Sequence, residues 1–243
     1  MRLFTLFLFF LASFSLSAQV KYGTIDYVRT TEMTIGGDFE NNKEIKAMIA
    51  QMSASGAFNR NYRATFGPGQ FNFMELAKEE TSMTKELRGG NQIKVISATR
   101  DLTGFFTDTE TRKIRNTENI LDRPFLVTGT LPALEWTITE EKVAPSEETV
   151  GLDLKIATAI TSFGDTLRAG FAPSLPAQVG PLNYYGLPGA IITLKVQNGG
   201  TPVVYRATNL SLSDEPLEIS EPSEGKAIGL EKFQKEKAKR QGT

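Results

Sequence analysis

The chain is a succession of short segments in which apolar and polar residues alternate, separated by turns that often carry Gly or Pro. Alternation with a period of two is typical of strands that bury one face. No strand–helix–strand unit repeats, so the pattern favours antiparallel over parallel pairing. We therefore expect a mainly β protein with an antiparallel sheet, curved into a half-open barrel or a sandwich. The segments that predict strands are 21–31, 57–66, 71–76, 93–99, 125–128, 136–139, 152–161, 167–171, 190–196, 202–207 and 210–212.

Several connecting stretches have patterns of their own. Residues 67–70 (GPGQ) separate two β-prone segments and predict the turn of a hairpin. Residues 104–119 are polar and Thr-rich and allow a strand pair, and residues 131–132 (LP) mark a turn. Residues 140–149 are acidic and predict a solvated loop. Adjacent glutamates would point to opposite faces of a strand, which argues against a paired-carboxylate site there.

Two segments have helical periodicity. Residues 42–55 carry apolar side chains at i, i+3, i+4 and i+7, which predicts an amphipathic helix. This helix either packs its stripe on the sheet or forms a mobile lid over an apolar pocket, because Met adapts to varied surfaces. A short C-terminal helix is predicted over 224–240, with contacts at Ile228, Leu230 and Phe233 and a basic end that is solvated or contacts an anionic partner. The residues of the candidate lid are Ile45, Met48, Ile49 and Met52.

The sequence contains neither Cys nor His. Disulfides, thiol nucleophiles and thiolate metal sites are therefore excluded, as are imidazole bases, His-based triads and imidazole ligands. We expect no catalytic residues, no metal site and no cofactor. The 27 basic and 28 acidic residues nearly balance, which argues against a general nucleic-acid-binding protein.

The N-terminus has the layout of a secretory signal peptide. Arg2 precedes an apolar run over 3–14, and small residues follow up to Ala18. A membrane-spanning helix would need ~20 apolar residues, so we expect cleavage between Ala18 and Gln19 and a mature protein that does not span the membrane. The predicted organisation is a signal peptide (1–18), one β-rich domain (19–222) and a charged C-terminal helix or tail (223–243).

The most distinctive stretch is GLPGAI at 186–191. Leu187 to Ala190 fit a type II β-turn, because Pro188 presets φ near −65° and Gly189 accepts the positive φ of the third position. Phosphate-binding loops need a different spacing of glycines. We interpret the stretch as a turn that leads into the strand at 190–196.

At these residues the chain resembles the GLPGLI family of exported bacterial proteins, with Ala190 in place of the family's second Leu. The resemblance covers about residues 125–200. It implies export to the cell envelope and a mostly β architecture, and it supplies no mechanism. Further matching elements lie at 134–136, 150–157, 171–173 and 175–176, with Leu152, Leu154 and Ile156 in place of the family's Tyr, Cys and Lys. The motif residues, to which we assign a structural role, are Gly180, Pro181, Gly186, Leu187, Pro188, Gly189, Ala190 and Ile191.

Together these features predict a non-enzymatic exported protein of the periplasm or the outer membrane. Its apolar strands would bind a lipid-like or peptide ligand, or an outer-membrane protein. A structural module that docks onto an outer-membrane assembly is the alternative. An enzyme that uses carboxylate or Tyr/Lys chemistry is the third hypothesis, since few activated nucleophiles can be built without His and Cys.

Export predicts that the mature chain begins at or near Gln19. N-terminal sequencing of protein from the periplasmic or outer-membrane fraction should recover this residue. Recovery of Met1 from either fraction would contradict the signal peptide.

Overall fold

Strands make up most of the regular structure. The computed structural model describes residues 22–31, 43–77, 81–86, 92–97, 103–121, 123–197 and 202–241, and the predicted signal peptide with its cleavage site at Ala18 and Gln19 lies outside them. The helices are α1 (Lys43–Ala54) and α2 (Leu230–Gln241), and Glu147–Thr149 form a 3-10 turn. The strands are β1 (Tyr22–Thr31), β2 (Arg60–Gly67), β3 (Gln70–Glu75), β4 (Thr81–Glu86), β5 (Gln92–Ser97), β6 (Gly104–Asp108), β7 (Lys113–Ile120), β8 (Arg123–Thr130), β9 (Thr137–Val143), β10 (Leu154–Ile160), β11 (Thr166–Ala172), β12 (Ala190–Gln197), β13 (Val203–Ser213) and β14 (Lys226–Gly229).

Twelve of these strands form one sheet, in the order β14-β8-β7-β6-β3-β2-β1-β13-β12-β11-β10-β9, while β4 and β5 form a separate hairpin. Strand β14 pairs with β8 in parallel, and the other pairings of the described strands are antiparallel. This confirms the predicted fold class. Within the described residues the sheet ends at β14 and at β9, so it is not closed into a barrel.

The sheet curves, because strands that lie far apart in it share one hydrophobic core. Phe105 of β6 and Leu154 of β10 belong to the same buried cluster, although six strands separate β6 from β10. The connection 173–189 between β11 and β12 also enters this cluster, where Leu175 and Val179 are buried. Removal of apolar surface from water is the main stabilising term of such a core. Side chains of the connection therefore pack against the concave face of the sheet.

Aromatic side chains of the central strands fill the core next to this connection. Tyr62 stacks on Phe73 with ring centroids 4.7 Å apart, and Tyr27 and Tyr205 approach the Phe73 ring edge to face. Such pairs contribute ~0.5–1.5 kcal/mol beyond the burial of their area. Burial raises the pKa of Tyr27, so its hydroxyl stays protonated and donates a 2.7 Å hydrogen bond to the carbonyl of Ile191. This bond ties β1 to β12 across β13.

Helix α2 packs at the other end of the sheet. Phe233 is completely buried and Leu230 is buried beside it, in a cluster with Ile114 of β7 and Val127 of β8. The Phe233 ring lies 5.9 Å from that of Phe125. The predicted contacts of the C-terminal helix at Leu230 and Phe233 are thus confirmed.

The C-terminal helix starts later than predicted. Residues 226–229 form strand β14 and pair with β8, so Ile228 reaches its cluster from a strand. Pairing with β8 gives the backbone of these residues hydrogen-bond partners outside the helix, which overrides local helical periodicity.

The structure of residues 140–149 also differs from the prediction. Residues 140–149 are not the predicted loop, since the first four belong to β9 and the last three to the 3-10 turn. Strand β9 is at the edge of the sheet and largely exposed, so its side chains need no apolar alternation.

The segments 202–207 and 210–212 are one strand, β13, with a register shift opposite Asp26 and Tyr27 that interrupts the alternation. Strand β4 was not predicted. The segments 125–128 and 136–139 belong to β8 and β9, which lie near opposite ends of the sheet.

The predicted type II β-turn at 187–190 is wrong. The N–H of Gly189 donates to the Leu187 carbonyl at 2.8 Å, which is the hydrogen bond of a γ-turn around Pro188. The N–H of Ala190, which would close a type II turn, donates instead to the Leu175 carbonyl at 2.9 Å. The φ of Gly189 is +154°, not the ~+80° of a type II turn. The stretch nevertheless turns the chain into β12, as predicted.

Gly189→Ala is expected to destabilise the fold more than Gly151→Ala does. Both glycines have positive φ, but an added Cβ at Gly189 would overlap the carbonyl oxygen of Ala172, whereas one at Gly151 meets nothing within 4 Å. We expect a loss of ~1 kcal/mol for Gly151→Ala from backbone conformation alone and at least ~2 kcal/mol for Gly189→Ala. Urea unfolding measures both losses, and equal values would contradict the steric role of Gly189.

Candidate binding cleft

A cleft of about 660 Å³ opens between strand β7, the 182–186 part of the β11–β12 connection, the β10–β11 turn and helix α2. A groove continues from it along α2 and shares Arg112, Leu131 and Phe163 with the cleft. The residues that line the cleft come from parts of the chain that are distant in sequence. Tertiary structure alone brings them together.

Strand β7 forms one wall through alternate residues. Ile114, Asn116 and Glu118 all line the cleft, because side chains two residues apart share one face of a strand. Ile114 lies in the cluster with Phe233 of α2, Asn116 is buried, and Glu118 contacts Lys237 of α2. This wall therefore changes from apolar to polar along the strand.

The opposite wall, residues 182–186, is attached to β7 by a reciprocal pair of amides. Asn183 Nδ2 donates to Asn116 Oδ1 at 3.1 Å, and Asn116 Nδ2 donates to Asn183 Oδ1 at 2.8 Å. Asn183 Nδ2 also donates to Thr107 Oγ1 at 2.8 Å. The preceding Leu182 has φ +59°, a conformation that costs a non-Gly residue ~1 kcal/mol or more. The bonds of Asn183 offset that cost.

Two further side chains hold residues 182–186 in place through hydrogen bonds. Trp136 Nε1 donates to the Tyr185 carbonyl at 2.9 Å. Gln178 accepts from the N–H of Gly186 and donates to the Leu187 carbonyl, both at 3.0 Å. The wall is thus held on both sides before any ligand arrives, as in most small-molecule sites.

The charged side chains around the cleft differ in how they are paired. Glu118 Oε2 lies 3.5 Å from Lys237 Nζ, and the Glu118 side chain is 16 % exposed against 40 % for Lys237. Glu118 also accepts from Asn116 Nδ2 at 3.3 Å. Asp165 accepts a 3.4 Å hydrogen bond from Thr161 Oγ1, and within the part of the chain that the structure describes it forms no ion pair. The charge of Glu118 is therefore compensated by Lys237, whereas the Asp165 carboxylate is open to a cation.

Tyr184 lies beside these two carboxylates. Burial raises the pKa of its phenol, and the negative charges of Asp165 and Glu118 raise it further. The hydroxyl therefore stays protonated. It makes no hydrogen bond to any residue in the described ranges, and Tyr184 is only half-buried, so the hydroxyl is available to solvent or to a ligand.

The motif residues have two environments. Pro181, Leu187 and Ile191 are buried behind the cleft, and Gly186 is exposed and lines it. The motif stretch is therefore both the turn into β12 and the support of a cleft wall. The others are Gly180, Gly189 and Ala190, which are buried, and Pro188, which is exposed.

The candidate lid residues lie elsewhere. Ile45, Met48 and Met52 are buried and Ile49 is half-buried. Of the cleft lining that the structure describes, none comes from α1. The lid function of these residues stays a prediction, and the cleft does not depend on it.

In the described ranges, no group of three or more Asp and Glu is placed to hold a metal ion. Likewise, none of the helices described is long and apolar enough to cross a membrane.

Sequence reasoning missed the residues that define the cleft. Asn116 and Glu118 lie in the polar segment 104–119, which allows a strand pair, and Asp165 and Asn183 lie between predicted strands. The available signal was in 113–120 (KIRNTENI), where Ile114, Asn116 and Glu118 share one strand face. A strand that mixes Ile with amide and carboxylate groups on one face is typical of a wall that is partly apolar and partly polar.

Loss of the amide pair is expected to destabilise the fold. Asn183→Ala should lower the free energy of unfolding by ~2–3 kcal/mol, because the buried amide of Asn116 loses its principal partner. Asn209→Ala, at an exposed amide, should change it by less than ~0.5 kcal/mol. Urea unfolding of Asn116→Ala/Asn183→Ala should give a loss smaller than the sum of the single losses. Additive losses would show that the two amides do not act together.

Comparisons with known proteins concern the fold only. No family model matches the chain, and no curated protein matches it. Among solved structures, the chain is similar to that of PNGF-II in the P21 space group, with a TM-score of 0.50 and 10 % sequence identity. The match covers 88 % of this chain and 32 % of the PNGF-II chain, so the protein spans about a third of that chain's length. At this identity the likeness places a similar arrangement of strands in a longer protein.

Proposed function

We propose that the protein is an exported, non-enzymatic binding protein of the cell envelope, related to the GLPGLI family, whose ligand occupies the cleft between β7, the 182–186 wall and α2. The observation that carries the proposal is the cleft itself, with a volume of about 660 Å³. Small-molecule sites usually measure ~300–1,000 Å³ and combine an apolar lining with a few placed polar groups. The pattern at residues 1–18 supports the export part of the proposal.

The lining supports a ligand with an apolar body. Phe105, Leu134, Tyr185 and Leu230 contribute apolar surface to the cleft, and the Phe163 side chain is 53 % exposed at its rim. Each Å² of apolar surface that a ligand buries contributes ~25 cal/mol. A lipid-like molecule or an apolar peptide side chain would therefore bind without a specialised residue.

Absence of Cys and His supports binding rather than catalysis. The partly buried carboxylates of the cleft are Glu118, which is paired with Lys237, and Asp165, which accepts a hydrogen bond from the Thr161 hydroxyl. In the described residues the Asp165 carboxylate accepts no second side-chain hydrogen bond that would orient it as a base for that hydroxyl.

The docking-module alternative has one specific observation in its favour. Strand β9 is an edge strand of the described sheet, with Ile138 48 % exposed on it and Ile160 72 % exposed on the neighbouring β10. An open edge can accept a strand from a partner. Glu141 and Lys142 lie on the same strand, and charged residues on an edge oppose such pairing. The cleft is therefore the stronger basis for a function.

Obstruction of the groove tests the proposed site. Ala238 is exposed on α2 and lines both the cleft and its continuation, so Ala238→Trp should weaken binding of the apolar fluorophore N-phenyl-1-naphthylamine about tenfold or more by filling the space. Stability should change by less than ~0.5 kcal/mol, because the position is on the surface. Fluorescence titration measures the affinity.

The matched control is Ala227→Trp. Ala227 is exposed on β14 and belongs to neither lining, so this variant should bind the fluorophore as the unmodified protein does. Equal affinities of all three proteins, or no binding by any of them, would contradict the cleft as the site.

A further inference from the structure

We propose that the cleft selects ligands that carry an ammonium or guanidinium group on an apolar body, with Asp165 as the residue that receives the cation. This inference rests on the proposed function, since it names the chemistry of the ligand for the same cleft. It follows from the placement of Asp165, from the Tyr184 hydroxyl and from the aromatic rings around them.

Asp165 is held at the mouth of the cleft by its own turn. The backbone N–H of Asp165 donates to Thr161 Oγ1 at 3.0 Å, and the N–H of Thr161 donates to the Asp165 carbonyl at 2.9 Å. The carboxylate is partly buried and lines the cleft. In the described ranges no Lys or Arg forms an ion pair with it. A partly buried carboxylate without a counter-charge favours a cationic ligand, because charge-assisted hydrogen bonds are the stronger ones.

The other charged side chains of the cleft do not supply a counter-ion for Asp165. Lys237 is the cation nearest to Glu118, at 3.5 Å, and this pair leaves Glu118 compensated. Arg112 is exposed at the groove and forms no ion pair with Asp165 in the described residues. Glu110 also lines the cleft without an ion pair in those residues, but it is exposed to solvent. Asp165 is therefore the partly buried carboxylate of the cleft that lacks a counter-charge.

The Tyr184 hydroxyl is the second reason to expect a cationic ligand. It stays protonated in the negative field of Asp165 and Glu118, and its oxygen accepts no hydrogen bond from any residue in the described part of the chain. An ammonium group has three N–H donors and no acceptor. Such a group on a ligand in the cleft has donors for both the Asp165 carboxylate and the Tyr184 oxygen, since both residues line the cleft.

Aromatic rings complete the environment of a cation. Phe163 lies two residues before Asp165 in the same turn, is 53 % exposed and lines both the cleft and the groove. Tyr184 is a second aromatic residue of the cleft lining. Cations are attracted to the faces of such rings, and the apolar surface beyond them receives the body of the ligand.

Displacement of N-phenyl-1-naphthylamine by three probes with the same tail tests the inference. The probes are n-decylammonium, n-decanol and decanoate, each below its micelle concentration. We expect n-decylammonium to bind about tenfold more tightly than n-decanol, since a charge-assisted hydrogen bond is stronger than a neutral one, and decanoate to bind most weakly. A second pair, acetyl-Leu-Leu-Lys-amide and its Gln counterpart, shows whether a peptide can supply the same cation. A preference for the cation in either pair supports the inference.

Asp165→Asn keeps the shape of the side chain and should abolish the preference for n-decylammonium. Asp153→Asn, at an exposed carboxylate outside the cleft lining, makes the same change in net charge and should retain it. If Asp165→Asn fails to fold, Tyr184→Phe gives a second test, because it removes a hydroxyl that has no hydrogen bond in the described structure. This variant should reduce the preference severalfold.

The possible failures are distinguishable. Equal affinities within both probe pairs, or an unchanged preference in both Asp165→Asn and Tyr184→Phe, would overturn the role of Asp165 while the cleft remains a binding site. If no probe displaces the fluorophore and Ala238→Trp has no effect on its binding, the proposed function itself is overturned.

Discussion

The fold depends on how the concave face of one long curved sheet is covered. A twelve-stranded sheet that ends at β14 and at β9 in the described residues cannot bury its inner face against itself alone, and the β11–β12 connection supplies a further layer. That connection has little regular structure, so its buried backbone and side-chain polar groups each need a partner. The reciprocal amides of Asn116 and Asn183, together with Gln178 and Trp136, provide these partners. The rest of the inner core packs around this arrangement.

The same requirement explains why the cleft lies where it does. The connection bonds β6 and Asn116 of β7 through Asn183. Helix α2 packs on Val127 of β8 and on Ile114 of β7. Between them lies the polar part of the β7 face, where Asn116 is buried by its bonds to Asn183 and Glu118 lines the cleft beside Lys237. A core can extend only as far as it has apolar partners on both sides, so a strand that turns polar on its inner face ends the core and begins a cleft.

The GLPGAI stretch has a structural meaning that differs from its local pattern. Its Pro and Gly residues suggest a standard β-turn, yet the donor that would close that turn bonds Leu175 in the same connection. Gly189 is required because the Ala172 carbonyl leaves no room for a Cβ, and not because of a type II geometry. The motif joins the connection that fills the concave face to β12, and its first residue, Gly186, lies at the cleft. The motif and the candidate cleft are thus adjacent along the chain.

Periodicity within a few residues, together with short connections, is enough to predict the class of fold, the antiparallel sheet and the positions of most strands. It also predicts helix α1 and the buried contacts Leu230 and Phe233, and the composition excludes His and Cys chemistry. Long-range packing was needed to show that β8 and β9 lie near opposite ends of the sheet, that residues 226–229 are a strand and that Asn116 meets Asn183. These features depend on partners distant along the chain, whose pairing overrides local propensity. The cleft belongs to the second group, since Glu118, Asp165 and Tyr184 read as unremarkable residues until the curved sheet brings them together.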